Sequence, residues 1–329
     1  MANLRLTLAM GPYDHMRDLV DGTVRAEGID LIALNLPIEE MFYRFIRFRE
    51  WDIPELSFGK YVSLRSQNDR SIAAIPVFPS RVFRHSSIYV RKNGKVNTPQ
   101  DLKHKRVGMP EWAQTASIYT RGYLMHEVGI PLKDIEWHQA GLNEAGRREK
   151  VKLKLPRGVR YVSDPDRSLN EMLLAGELDA VLSARPPRAA LDSNSGVKRL
   201  FPDSLEVEKA YFRKTGIFPI MHVVALRGEV LERHPWVAMN LFTAFEEAKR
   251  RSLERALDIT ASYYPVPWGF DYARQSQALF GDDFWPYGIE ANRATLEAFL
   301  QFGYEQGVCH RKLAPEDLFP VEVQASYRV

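Results

Sequence analysis

Arg84, His85 and Ser86 stand in the run RVFRHSSIYVRK (residues 81–92), where a polar loop becomes an alternating strand. A guanidinium fork meets a carboxylate through two parallel hydrogen bonds. An imidazole titrates near neutrality and carries a proton in either direction. A hydroxyl beside them adds a donor. The same types recur downstream. His222 sits at the mouth of a strand in GIFPIMHVVALR (216–227), and Arg185 follows the strand LDAVL (178–182) in a loop fixed by Pro186 and Pro187. WDIPELSF (51–58) adds Glu55 and Ser57 at the end of another short strand. Arginines to hold an anion and histidines to move a proton make a cleft chemistry. Glu55 can orient a histidine or accept a hydroxyl proton. Which of His85 and His222 is the acid, and which the base, stays open at this point.

Two helix starts offer further anion contacts. The turns at Tyr13-Asp14 and Gln114-Thr115 each follow a strand, so their free N–H groups face the cleft. Ordinary capping by Asp14 and Thr115 would leave the same pattern. Trp112 and Tyr119 can wall an aromatic ring, although aromatics at that spacing also suit a core. No HExxH, CxxC pair, phosphate loop or nucleophile elbow occurs, so neither a metal nor a cofactor is expected.

Positioning such residues takes an α/β fold. Short apolar strands alternate with amphipathic helices, which predicts mostly parallel sheets. Leu4, Leu6 and Leu8 share one face of the first strand, and Met41, Phe45 and Phe48 fall at helical spacing in 37–50. Two lobes are expected, the second inserted into the first. Residues 1–85 and 226–329 form lobe one and 86–225 form lobe two, with RHSSIYV and PIMHVVALR as the crossing strands. The charged stretch 143–158 is expected to be mobile.

With 45 Lys and Arg against 42 Asp and Glu, the net charge of +3 favours neither a nucleic acid nor a membrane surface as partner. No apolar run approaches the roughly 20 residues of a membrane helix. MANLRLTLAM has no signal-peptide pattern, and the single Cys309 fits a reducing compartment, so a cytoplasmic protein is expected. Phe284, Trp285 and Tyr287 suit either a core or a contact between copies, which leaves a homo-oligomer open.

YDHMRDLVDGTV, WDIPELSF, IPVFPSRVFRHSSIYVRK, WAQTASIYTRGYL, GIFPIMHVVALR and YGIEANRATLEAFLQFGYEQG occur in that order along nearly the whole chain. In this it resembles the 4,5-dihydroxyphthalate decarboxylase family. The resemblance implies a two-lobe fold like that of type II periplasmic solute-binding proteins and a small aromatic dicarboxylate as substrate. It also implies a carboxy-lyase reaction giving protocatechuate and CO2. Each carboxylate of that substrate is para to a hydroxyl, so a phenolate can push electrons to the carbon that loses CO2. A non-catalytic binder of an organic acid, or another lyase, would use the same scaffold. The stretch GRREKVKLKLPRGVR (146–160) is more basic than the family pattern.

Overall fold

The computed structural model describes residues 2–325. The first sheet begins with β1 (Leu4–Met10), whose alternating leucines end in the buried run Leu8-Ala9-Met10. Helix α1 (Asp14–Val20) leads to β2 (Ile29–Asn35), then α2 (Ile38–Phe48), β3 (Ile53–Ser57), α3 (Phe58–Ser66) and β4 (Ile72–Ile75). The chain then enters a second sheet with β5 (Ile88–Arg91), β6 (Arg106–Met109), α4 (Thr115–His126) and β7 (Glu136–Gly141). It continues through β8 (Arg160–Ser168), α5 (Leu169–Leu174), β9 (Ala180–Leu182), β10 (Val197–Arg199) and α6 (Ser204–Thr215). It returns as β11 (His222–Arg227), followed by helices α7 (Gly228–Arg233), α8 (Val237–Ala256), α9 (Gly269–Phe280) and α10 (Arg293–Glu305).

The strand orders are β2-β1-β3-β11-β4 and β10-β5-β9-β6-β7-β8. Two lobes with an inserted second lobe follow directly. The sheets are mixed, however, and not mostly parallel. β11 comes back from the other lobe and runs antiparallel between β3 and β4, and β5 is antiparallel to both β9 and β10. The return also falls earlier than the expected boundary at 225, because His222 already pairs with Ser57 in the first sheet. That register matters for function. Side chains alternate across a strand, so His222, Ser57 and Glu55 share one face of neighbouring strands.

The lobes meet through close backbone and aromatic packing. Gly59, at the start of α3, lies against the second lobe so tightly that a Cβ would stand 2.8 Å from the Ala113 carbonyl oxygen. Phe58 stacks on Phe299 of α10 at 4.8 Å, and Tyr119 of α4 packs on the same ring at 4.6 Å. Helix α10 thus touches both lobes. Burying rings of this size contributes on the order of 2 kcal/mol each.

The 143–158 stretch, expected to be mobile, is tied down although it has little regular structure. Its Glu149 takes the Ala113 N–H at 2.9 Å, and Lys154 N–H donates to the Gly307 carbonyl at 2.8 Å. Of the C-terminal aromatics, Tyr287 is buried and Trp285 packs edge-on to Phe218, so both serve the core.

Candidate active site

A cleft of about 510 Å³ opens between the lobes, within the range of small-molecule sites. Helix α2 lays Ile38, Phe42 and Ile46 along it, one apolar residue per turn, beside the row of buried Met41 and Phe45. The floor carries Ser57, Met221 and His222, where β3 and β11 meet. The facing wall comes from segments just beyond the carboxyl ends of β6, β7 and β9, the usual place for ligands in such sheets.

His222 is held by a buried carboxylate. Its Nδ1 lies 2.5 Å from Glu55 Oε1, and Phe42 stands edge-on to the imidazole with centroids 5.0 Å apart. Glu55 is wholly inaccessible to solvent. Burial alone would raise its carboxyl, but His222, the Tyr13 hydroxyl and the Gly11 amide outweigh that and hold it below the usual range. An ionised Glu55 receives the Nδ1 proton and leaves Nε2 as the basic nitrogen of a ring that lines the cleft.

Arg84 lines the same cleft with no carboxylate within 4.0 Å of its guanidinium among the described residues; its contacts are Met221 Sδ at 3.1 Å and the Ala184 carbonyl at 3.4 Å. Burial pushes it down to about 10, still charged at neutrality. Such a cation calls for an anion. Arg185 stands at the rim, largely exposed, with its nearest carboxylate, Glu39 of α2, at 4.0 Å.

Sequence reading missed the charged network on the far wall. Lys60 of α3 reaches Glu111 at 2.5 Å and Glu149 at 2.6 Å across the lobe boundary. Glu111 also receives Arg147 at 2.8 Å and Lys150 at 3.2 Å, and Arg147 extends to Glu39 at 3.3 Å. Burial would raise Glu111, yet these cations pull it down to about 2. Around the cleft, Lys60, Arg84, Arg147, Lys150, Arg185 and Arg188 face Glu39, Glu111 and Glu144, a net positive lining. One signal was available: Glu111 and Lys60 each follow a strand end by two or three residues.

Of the remaining sequence candidates, Ser57, Gln114 and Thr115 line the cleft. Gln114, and not Thr115, occupies the N-cap position of α4; the Thr115 hydroxyl instead meets Ser57 Oγ at 3.0 Å and takes the Gly59 N–H at 3.0 Å. The others lie elsewhere. Trp112 is fully buried under the Arg121 guanidinium, donating Nε1–H to the Gln306 carbonyl, so it does not wall the cleft. Tyr119 is core. Asp14 faces α8, accepting from Ser252, Tyr264 and Arg255. Ser86 points its N–H at Glu208, at 3.1 Å. Tyr13 stands behind Glu55 and does not line the cleft.

His85 requires the main correction. The short turn His85–Ser87 sends it away from the cleft into a box of Tyr123, Tyr211 and Phe201, with centroids 4.5, 4.9 and 5.9 Å away. Both ring nitrogens are buried with no partner among the described residues, and burial pushes the ring down to about 4. The folded protein therefore favours the neutral ring, while the unfolded chain takes up a proton as pH falls through 6.5. This contribution is complete above that pH and is lost between 6.5 and about 4, a gap corresponding to about 3 kcal/mol. His85→Phe should keep turnover within a few-fold at pH 7. Relative to wild type it should gain up to about 3 kcal/mol in urea unfolding between pH 7 and pH 4. A hundredfold loss of turnover would return His85 to the catalytic set.

The chain is 38% identical over 330 residues to the 4,5-dihydroxyphthalate decarboxylase of Comamonas testosteroni, all of both chains being covered. It is 38% identical over 214 residues to the enzyme of that name from Pseudomonas putida, covering 65% of this chain and 83% of that one. Among solved structures, the periplasmic aliphatic sulphonate binding protein SsuA of Escherichia coli is similar with a TM-score of 0.55 at 11% identity, covering 98% and 99% of the two chains. The alkanesulfonate-binding SsuA of Xanthomonas axonopodis pv. citri gives 0.52 at 10% identity, covering 97% and 99%. These two likenesses show the fold alone. No protein-family model matches the chain.

Proposed function

This chain belongs to the 4,5-dihydroxyphthalate decarboxylase family, and from that premise we propose that it removes one carboxylate from 4,5-dihydroxyphthalate in the inter-lobe cleft. The observation that carries the assignment of residues is the Glu55–His222 pair opening onto the same cleft as the uncompensated Arg84. His222 Nε2 accepts the proton of the hydroxyl para to the departing carboxylate. The resulting phenolate pushes an electron pair to the ring carbon, which takes up one proton. The bond to the carboxylate then breaks, its pair restores the aromatic ring, and CO2 leaves. The phenolate finally regains its proton, so each turnover consumes one proton and yields the monocarboxylate. The substrate's own hydroxyl supplies the electrons, and the proposal calls on no cofactor.

Arg84 holds one carboxylate of the dianion, and the net positive wall supports the other. Phe42 packs edge-on to His222, and with Ile38 and Ile46 it gives the cleft an apolar side that keeps water from the ring. Of the residues singled out in the sequence, His85, Asp14, Ser86 and Trp112 lie outside the cleft and have no part in this scheme. The buried Cys309 fits a reducing cytoplasm and a role in phthalate degradation there.

Purified protein should convert 4,5-dihydroxyphthalate to protocatechuate and leave phthalate, which lacks the hydroxyls, untouched. Equal turnover of phthalate would remove the phenolate from the mechanism. Arg84→Ala should raise KM for the dicarboxylate by about 10- to 100-fold, the worth of one charged hydrogen-bonded contact. Arg185→Ala, at the exposed rim, should raise it by only a few-fold. A reversal of that order would move the carboxylate clamp to the rim.

A further inference from the structure

Tyr13 offers a role that neither its sequence setting nor the family relationship specifies. Its hydroxyl donates to Glu55 Oε1 at 2.6 Å, the same oxygen that lies 2.5 Å from His222 Nδ1, while the Gly11 N–H donates to Oε2 at 3.0 Å. A Cβ on Gly11 would stand 2.9 Å from the Tyr13 ring and 3.3 Å from Glu55 Oε2, so only glycine lets ring and carboxylate lie this close. The three groups come from the end of β1, the turn before α1 and β3, a construction larger than a simple buried pair needs.

We propose that Tyr13 is a positioning residue for the decarboxylation, fixing Glu55 so that the carboxylate both orients His222 and limits how strongly it holds a proton there. The inference rests on the assignment of His222 as the proton-transfer group. The Tyr13 hydroxyl stabilises the Glu55 charge most when the imidazole is neutral and the carboxylate is least compensated. Without that donor the Glu55–His222 pair takes up a proton at higher pH, whichever partner carries it.

Other charged or titratable groups nearby leave this effect distinct. His15, whose ring centroid is 5.5 Å from that of Tyr13, is pushed by burial to about 4 and stays neutral in the assay range. Asp14 is engaged by Arg255, Ser252 and Tyr264. Arg84, beside Met221, is a constant cation.

The test is Tyr13→Phe, which keeps the ring and removes one oxygen, with Gly11→Ala as an independent disturbance of the same contact. Expected for both are a fall in kcat of about 10-fold or more, KM within about 3-fold, and an acid limb of the pH–rate profile displaced to higher pH. The His222 ring-proton resonance, followed by NMR in protein free of substrate, should titrate at correspondingly higher pH. That readout does not depend on the reaction, whereas His222→Ala tests the assignment beneath it. A rise in KM at unchanged kcat would make Tyr13 a substrate contact. A lower kcat with profile and resonance unmoved would reduce it to a structural role. Either result overturns the inference.

Discussion

His222→Ala lowers kcat by about 10²- to 10⁴-fold while the protein stays folded, the range expected when a positioned acid–base group is removed. The fold survives because the ring lies at the cleft floor and not in the core, and Glu55 keeps the Tyr13 and Gly11 donors. Glu55→Gln should also be slow, since an amide disturbs the tautomer and orientation of the imidazole. In the His222→Ala background, however, it should add little, because the two act as a unit. Steady-state kinetics on the two single variants and the double one decide the matter. Turnover close to wild type in His222→Ala would remove the imidazole from the mechanism, and additive losses would separate the two residues.

Lys60→Met destabilises the protein by about 3–5 kcal/mol, the cost of breaking a buried ion pair from one side. Lys60 and Glu111 are nearly inaccessible, at 5% and 2% side-chain exposure, and methionine keeps the length of the lysine without its charge. Glu111 would retain Arg147 and Lys150, but Glu149 would lose its cation. Glu111 is held at about 2, against an ordinary value of 4.5. Its stabilisation is therefore present above 4.5 and is lost as pH falls towards 2. The gap between wild type and variant should narrow over that interval. Adding Glu149→Gln to Lys60→Met should restore part of the loss, as coupled neighbours do. Urea unfolding at several pH values reads both effects. A cost below about 1 kcal/mol would mean that the network behaves like a surface pair.

The legible parts of this molecule were those encoded locally. Alternation in LRLTLAM marks β1, because strand faces repeat every second residue, and the short apolar run after His222 marks β11, a strand buried on both faces. Residues at strand mouths could be read for the same reason, and Glu55, Ser57 and His222 converge through one β3–β11 register. What escaped depends on distant segments. Lys60 and Glu149 are 89 residues apart, and a run such as GRREK reads as a solvated face until α3 arrives beside it. His85 has polar neighbours on both sides in sequence, but Tyr123, Phe201 and Tyr211 enclose it from elsewhere. Arg84 and His85, adjacent in the chain, consequently face different surroundings. The mixed pairing of the sheets was hidden too, since the direction of β11 follows from the path back between lobes and not from its composition.

Decarboxylation of carboxyl-labelled 4,5-dihydroxyphthalate in D2O measures the core of this account directly. Ring protonation followed by loss of the carboxylate predicts one labelled CO2 for each protocatechuate formed, with one deuterium at the vacated carbon. Substrate recovered unchanged from saturated, folded protein, with no labelled CO2 released, would make the cleft a binding site and contradict the enzyme.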